Sequence, residues 1–506
     1  MASTKRASRA GAERSARIVV RPDEVVTTIN PNIYGHFAEH LGRCIYDGIW
    51  VGHDSAVPHD DGYRKGVLDA LKRLKAPVIR WPGGCFADAY HWRNGVGPVE
   101  ERPQQWNLWW EQEEPNTFGT DEFLGFCEKV GAAPYICVNV GSGSPEEAVA
   151  WMEYCNSTHH TDLTRLRAEN GHPEPYGVRY WGVGNENWGC GGSFDPESYA
   201  KEYRTFATYL RRASAGTDVQ LIACGHTAGN WNARFLEVLR DRLQLVDHIS
   251  IHHYFSAGGD VEFPDKAYYK LLADISSLEK EMQDAVKAID RFTGGKRSLG
   301  LIVDEWGVWH PQARTQNGLE QQNTLRDAIF AACVLNLFNR YASRIPMTNL
   351  AQTINVLQCI AFTRGANTVL TPTYHVYDLY KTHMGAQLVA VEVDAPSVSV
   401  TKSRKRKPED MPIIDVSASV KGKSLFVTVV NKGLESPAEV EIELWGDARF
   451  RSAKLAELSA SDVRDHNDFE QPAKVKPTSG KVEATGRRFR HTLRAHSVNA
   501  LEFELV

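Results

Sequence analysis

The chain has no apolar run approaching the ~18 residues of a membrane-spanning helix, and its basic N-terminal stretch, residues 1–17 (MASTKRASRAGAERSAR), is not followed by the continuous apolar segment of a secretory signal. A cytoplasmic protein without a membrane partner is the expectation, with a disordered tail over 1–17. A strong charge of either sign is also missing. The 58 Lys and Arg residues nearly balance 63 Asp and Glu, and the net charge of −5 gives no electrostatic footing for a nucleic-acid partner. CxxC pairs, internal repeats and low-complexity tracts are absent too. The nine cysteines are odd in number and scattered, so reduced thiols in a reducing compartment are expected.

At 506 residues the chain exceeds a single simple core, and two or three domains are expected. From about residue 30 to 385, short apolar runs alternate with longer amphipathic ones, the rhythm of βα units on a parallel sheet. The strand-like runs are 78–80 (VIR), 135–139 (YICVN), 180–184 (YWGVG), 219–223 (VQLIA), 246–252 (VDHISIH) and 299–303 (LGLIV). A start near Tyr34 and an end near Asn355 bring the number to about eight, which favours a (β/α)8 TIM barrel over a doubly wound sheet. Helical spacing marks 66–74, 196–213, 268–292 and 323–339.

Over 386–506 the pattern becomes alternating strands, such as 424–430 (SLFVTVV), 438–445 (AEVEIELW) and 499–506 (NALEFELV), which predicts an antiparallel β-sandwich, jelly-roll-like. The early run 16–21 (ARIVVR), within a segment 18–29 that precedes the barrel, is expected to lend that sandwich a strand. Five of the six residues 402–407 (KSRKRK) are basic; a solvated loop explains them better than a nucleic-acid patch in a mildly acidic chain.

Two motifs carry the chemistry: 181–187 (WGVGNEN) and 302–307 (IVDEWG), each ending a strand-like run in a glutamate. The C-terminal ends of barrel strands are where active sites form, so Glu186 and Glu305 can face each other across the mouth. Cleaving a glycosidic bond with retention needs that pair, one carboxyl to protonate the leaving oxygen and one to attack the anomeric carbon. Charge on Glu305 would keep a proton on Glu186 by like-charge repulsion, while a cation, with Arg80 the best candidate, would keep Glu305 ionised. Asn185 has the chemistry to bind a sugar 2-hydroxyl. Of the nearby aromatics Trp181, Trp188, Trp306, Trp309 and Tyr254, no more than half are expected to stack on sugar, the rest being core.

One motif competes. His36, Glu39 and His40 match the H-x-x-E-H zinc pattern of a metallopeptidase. That pattern needs a helix, and Pro31, Gly35 and Gly42 disfavour one. A strand-end loop with Glu39 facing sugar hydroxyls is the better reading.

Segments 33–52, 80–98, 181–192, 249–254, 304–309, 371–380 and 495–505 resemble glycoside hydrolase family 51, the α-L-arabinofuranosidases. The resemblance implies a barrel joined to a C-terminal β-sandwich, no cofactor or metal, and a homo-oligomer, commonly a hexamer. It implies retaining, exo-acting removal of terminal non-reducing α-L-arabinofuranosyl residues from arabinan- or arabinoxylan-type oligosaccharides. Glu186 then matches the acid/base and Glu305 the nucleophile, with Glu39, Asn185 and Tyr254 in the sugar subsite; Trp188 and Trp309 are the aromatics expected, from their place beside the motifs, as further substrate contacts. Two departures touch that subsite: Cys85 stands where Asn is common, and a sugar-binding Gln is expected to be replaced near Asn367. They leave β-xylosidase, galactofuranosidase or endo-glucanase and xylanase activity as alternatives on the same site.

Overall fold

The structure, a computed structural model, describes residues 15–295, 299–402 and 407–506. Eight parallel strands close into a barrel in chain order: Gly35–Phe37, Val78–Trp81, Ala133–Val138, Tyr180–Val183, Gln220–Cys224, His248–Phe255, Gly300–Val308 and Met347–Ala351. The first and last, whose sequence signals are weakest, pair directly (Asn349 with Gly35) and complete the ring. The six interior strands fall where the apolar runs place them. The seventh runs on to Val308, beyond the expected 303, because residues 305–308 keep pairing with His252–Phe255 of the sixth.

Helices fill the returns. Pro196–Ala213 starts on Asp195, whose side chain accepts from the Ser198 amide, with proline in the first turn where no amide proton is needed. Tyr199, Tyr203, Phe206 and Leu210 recur at helical spacing and are buried. Leu325–Arg340 is apolar on nearly every face, as a helix enclosed on all sides must be. It lies between the barrel and the C-terminal sheet, where Asn336 Nδ2 donates to Asp415 at 3.0 Å and Asn339 Nδ2 to Ser417 Oγ at 3.1 Å. No helix of the described residues is long and apolar enough to cross a membrane.

The C-terminal region forms one nine-stranded sheet, in the order Thr478–Val482, Phe450–Leu458, Ser497–Leu505, Ser424–Asn431, Ile414–Lys421, Gln387–Asp394, Ser15–Thr28, Ala438–Leu444 and Arg488–Leu493. Ile18, Val389, Val427, Ile442 and Phe503, from strands across its width, share one core, so the sheet packs upon itself as a sandwich. The N-terminal strand is longer than the run 16–21. It pairs antiparallel with Gln387–Asp394 and parallel with Ala438–Leu444, the parallel pairing in an otherwise antiparallel order. Of the tail expected over 1–17, residues up to 14 lie outside the described ones, and 15–17 are instead the start of this strand, because they pair with Ala438–Leu444. Of the basic run, 403–406 lie outside them, and Lys402 pairs with Glu409 at 2.7 Å.

Candidate active site

Strands two, four, six and seven deliver the central residues to one end of the barrel. Glu305 is buried on the seventh strand. Arg80, ending the second, donates from Nη1 to Glu305 Oε1 at 2.8 Å, and Tyr254 on the sixth donates its hydroxyl to Oε2 at 2.7 Å. Two donors therefore fix the carboxylate's orientation and stabilise its negative charge. Burial and the Glu305 charge push the Tyr254 phenol well up, so it remains a neutral donor.

Glu186 follows the fourth strand. Its Oε1 lies 2.7 Å from His252 Nδ1, and His252 Nε2 lies 3.1 Å from Asp304 Oδ1. Burial alone would lower the His252 pKa, but the carboxylates of Glu305 and Asp304 outweigh it and hold it at about 10. The imidazole is thus a cation at neutral pH that donates to Glu186 from Nδ1 and forms an ion pair with Asp304 at its other end. Asp304 is in turn held below the ordinary range: burial would raise it, but Arg80 and His252 prevail. One oxygen each of Glu186 and Glu305 and a ring nitrogen of His252 lie within 4.8 Å of one another. Such proximity of two carboxyls suits the retaining route, in which one of them attacks the anomeric carbon directly.

Glu39, in the loop after the first strand, bounds the other side. It accepts from Trp110 Nε1 at 2.9 Å, the Phe86 amide at 3.1 Å and Gln352 Nε2 at 2.9 Å. Burial, then the Glu305 charge, raises its pKa to about 7 against those three donors. Pro82-Gly83-Gly84 runs directly beneath it, and a Cβ on Gly84 would stand 2.3 Å from Glu39 Oε1. The second glycine is thus a close-approach position. Asn185 accepts from Arg80 Nη2, and its amide donates to Asp88 at 3.1 Å. The cluster is therefore a crevice of four carboxyls, one guanidinium, one imidazole and several aligned donors, suited to holding hydroxyls around a carbon under attack.

Trp309 meets Tyr254 edge-on, with centroids 5.4 Å apart, and its Nε1 donates to Ala313 O at 3.1 Å. Trp188 stacks on His226 at 4.1 Å beside Glu186. Trp181 and Trp306 are fully buried core residues.

Two expectations are corrected, and the disfavoured zinc alternative is set aside. Cys85 is not a free thiol: it forms a disulfide with Cys190, Cα atoms 5.6 Å apart, because the segments after the second and fourth strands meet above the third and bring together residues separated by 105 positions. The other seven cysteines are free and buried. Asn367 is exposed at the start of the hairpin strand Asn367–Leu370, paired with Arg364 and away from the crevice. The glutamine found at this cluster is Gln352, just after the last barrel strand, which donates to Glu39. The zinc reading of the His36–His40 segment fails on geometry. Gly35–Phe37 is a strand, His36 is buried with neither ring nitrogen bonded, and His40 is engaged by Glu114 at 2.7 Å and by Trp81 Nε1 at 3.0 Å.

Residue-by-residue reading missed His252, Asp304, Trp110 and Gln352. His252 had a signal, since two-residue spacing puts it on the same strand face as Tyr254. Asp304 had none, because alternation would point it away from Glu305. The seventh strand's register slips against both neighbours at this point, and both side chains reach the cluster.

The chain matches two family models: residues 70–270 match the α-L-arabinofuranosidase 1 domain, and 304–497 match the α-L-arabinofuranosidase C-terminal domain. It is 39% identical over 505 residues to an intracellular exo-α-L-arabinofuranosidase of Bacteroides ovatus, covering 97% of this chain and 96% of that one. To α-L-arabinofuranosidase C of Emericella nidulans it is 34% identical over 444 residues, covering 85% and 87%. Among solved structures, the family 51 arabinofuranosidase of Xanthomonas axonopodis pv. citri superposes with a TM-score of 0.91 at 34% identity, covering 97% of this chain and 100% of that one. An arabinose complex of the Thermotoga maritima α-L-arabinofuranosidase gives 0.87 at 37%, again covering 97% and 100%.

Proposed function

The chain belongs to the α-L-arabinofuranosidases of glycoside hydrolase family 51, which hydrolyse arabinofuranosides with retention, and from that premise we propose that Glu305 is its nucleophile and Glu186 its acid/base. The observation that carries the assignment is the pair of carboxyls within 4.8 Å, one clamped by Arg80 and Tyr254, the other joined to the His252 imidazole.

Glu305 attacks the anomeric carbon of a terminal arabinofuranosyl unit while Glu186 gives its proton to the departing oxygen. Water, deprotonated by Glu186, then attacks the glycosyl ester from the leaving-group side and frees Glu305, so two inversions yield net retention. Glu39, with Trp110 and Gln352 fixing it, receives sugar hydroxyls, and Asn185 faces the 2-hydroxyl. Trp188 and Trp309 flank the leaving group. Cys85 acts through its bond to Cys190 and not as a hydrogen-bonding side chain. The comparisons favour this activity over β-xylosidase, galactofuranosidase or endo-acting alternatives.

Exo-action and an intracellular location are supported by the Bacteroides relative's description, which states both. A homo-oligomer, a hexamer by family resemblance, is supported further by exposed Trp106 and Leu108, apolar side chains that a second copy would cover. Light scattering on the purified protein tests it.

The roles are tested on Glu186→Ala with an activated aryl α-L-arabinofuranoside. The first step still proceeds with such a leaving group while the second stalls, and peptide mapping finds the pentosyl group on Glu305. A pentosyl group on another residue, or a product of inverted configuration from the wild type, overturns the assignment.

A further inference from the structure

Beside the acid/base the protein carries a second arrangement with chemistry of its own. The Cys85–Cys190 bond ties the segment after the second barrel strand to the turn after the fourth. Cys190 Sγ lies 3.9 Å from Glu186 Oε2, and one ligand atom from each of Cys85, Glu186 and Cys190 lies within 4.8 Å of the other two. All three residues are only partly buried, so solvent and small ions reach them, whereas the seven free cysteines are buried. Two sulfurs and a carboxylate oxygen at these distances are a donor set of the kind zinc binds, three protein ligands with water as the fourth.

We propose that reduction of Cys85–Cys190 opens a zinc site made of the two thiolates and Glu186, and that its occupation switches hydrolysis off by taking the acid/base as a ligand. The chemistry balances with a dithiol as reductant. Two of its electrons break the S–S bond, it leaves as its own disulfide, and both cysteines become thiols. Zinc then binds with loss of the two thiol protons.

The geometry needs little adjustment. Around a tetrahedral zinc with Zn–S near 2.3 Å, the sulfurs stand about 3.8 Å apart. Two sulfurs no longer bonded cannot stay at bonding distance, so reduction itself moves them toward that spacing. The same ion would set a sulfur and a carboxylate oxygen about 3.5 Å apart, against the 3.9 Å observed between Cys190 and Glu186. In the oxidised protein neither sulfur is a thiolate and the site does not exist. An enzyme in a reducing compartment would thus respond to thiophilic metal, and oxidation would protect it. The loss of activity rests on the role proposed above for Glu186; the binding of metal does not.

Cobalt(II) is the probe, because thiolate ligation gives it an intense near-ultraviolet charge-transfer band. Full-length protein is reduced by a dithiol without denaturant, desalted under argon and titrated with cobalt, then with zinc, while arylarabinofuranoside hydrolysis is followed in parallel. The expected result is two new titratable thiols and a charge-transfer band saturating at one equivalent. Zinc displaces the band, and activity falls with the same stoichiometry and returns with EDTA. Oxidised protein shows neither effect, magnesium is inert, and Cys190→Ser loses the band in the reduced state. Glu186→Gln keeps a thiolate band but binds about tenfold or more weakly. A bond that resists the dithiol, two free thiols without a band, or a saturated band with undiminished turnover overturns the proposal. Reduced, metal-free protein that does not turn over the substrate counts against the glycosidase assignment instead, and the cobalt spectrum still decides the metal site.

Discussion

His252 holds Glu186 at 2.7 Å through Nδ1 while its other nitrogen lies 3.1 Å from buried Asp304, so the acid/base is moored to the base of the crevice by a charged imidazole. An imidazolium donating to one oxygen of Glu186 leaves the other free to carry a proton toward the leaving group. His252→Gln removes that anchor, together with a positive charge 3.6 Å from Glu305 Oε2. We expect kcat/KM to fall roughly tenfold to hundredfold on substrates whose leaving group needs protonation, and much less on nitrophenyl glycosides. Comparing aryl arabinofuranosides with phenols of graded acidity measures this. An equal loss across the series would make His252 a packing residue only.

The two carboxyls differ in what replaces them. Glu305→Ala and Glu186→Ala should each lower hydrolysis of a natural oligosaccharide by about a thousandfold or more. With azide and an aryl arabinofuranoside, the first variant admits azide on the nucleophile's side and yields the inverted glycosyl azide. The second still forms the glycosyl enzyme, and azide then takes the place of water to yield the retained one. Proton NMR of the two azides reads the assignment directly, and the same anomer from both variants would refute it.

Glu186 and Glu305 are legible in the chain because each ends an apolar run inside a Gly- and Trp-rich segment, and a parallel barrel sends such ends to one face. Tyr254 and Arg80 follow from the same logic. The strand lent by the N-terminus is visible as an apolar run, but its parallel partner Ala438–Leu444 is not, since pairing over 400 residues leaves no local trace. Cys85 and Cys190 look like scattered thiols for the same reason. Asp304 is hidden because period-two alternation points it outward and only a slip in register brings it in. Gln352 has no local signal. It matters through a hydrogen bond to Glu39, 313 positions away.

Gly84 offers a test of the subsite that leaves the catalytic pair untouched. Alanine there would put Cβ 2.3 Å from Glu39 Oε1, so the carboxylate must swing away from the Phe86 amide and Trp110. A displacement of about 1 Å in a positioning group costs on the order of a hundredfold in rate. Gly84→Ala should lose about that in kcat/KM while its thermal midpoint moves by only about a degree, roughly the effect of 1 kcal/mol in a protein of this size. Near-normal kinetics would mean that Glu39 is not positioned by this loop.

Glu39 also leaves a signature in stability. Its folded pKa of about 7, raised by burial and then by Glu305 from an ordinary 4.5, means that the folded protein holds a proton which the unfolded chain releases. The sign follows: this contribution to stability is complete below pH 4.5 and is lost as pH rises through 7, amounting to on the order of 3 kcal/mol. Glu39→Gln does not titrate, and Gln352, whose Oε1 has no partner, can turn to accept from the new amide. Denaturant unfolding at pH 4.5, 6 and 8 should therefore show the variant gaining on the wild type as pH rises, whatever their order at the acid end. A constant difference across that range would place the Glu39 pKa near its unfolded value, and the three donors around it would then outweigh both burial and the Glu305 charge.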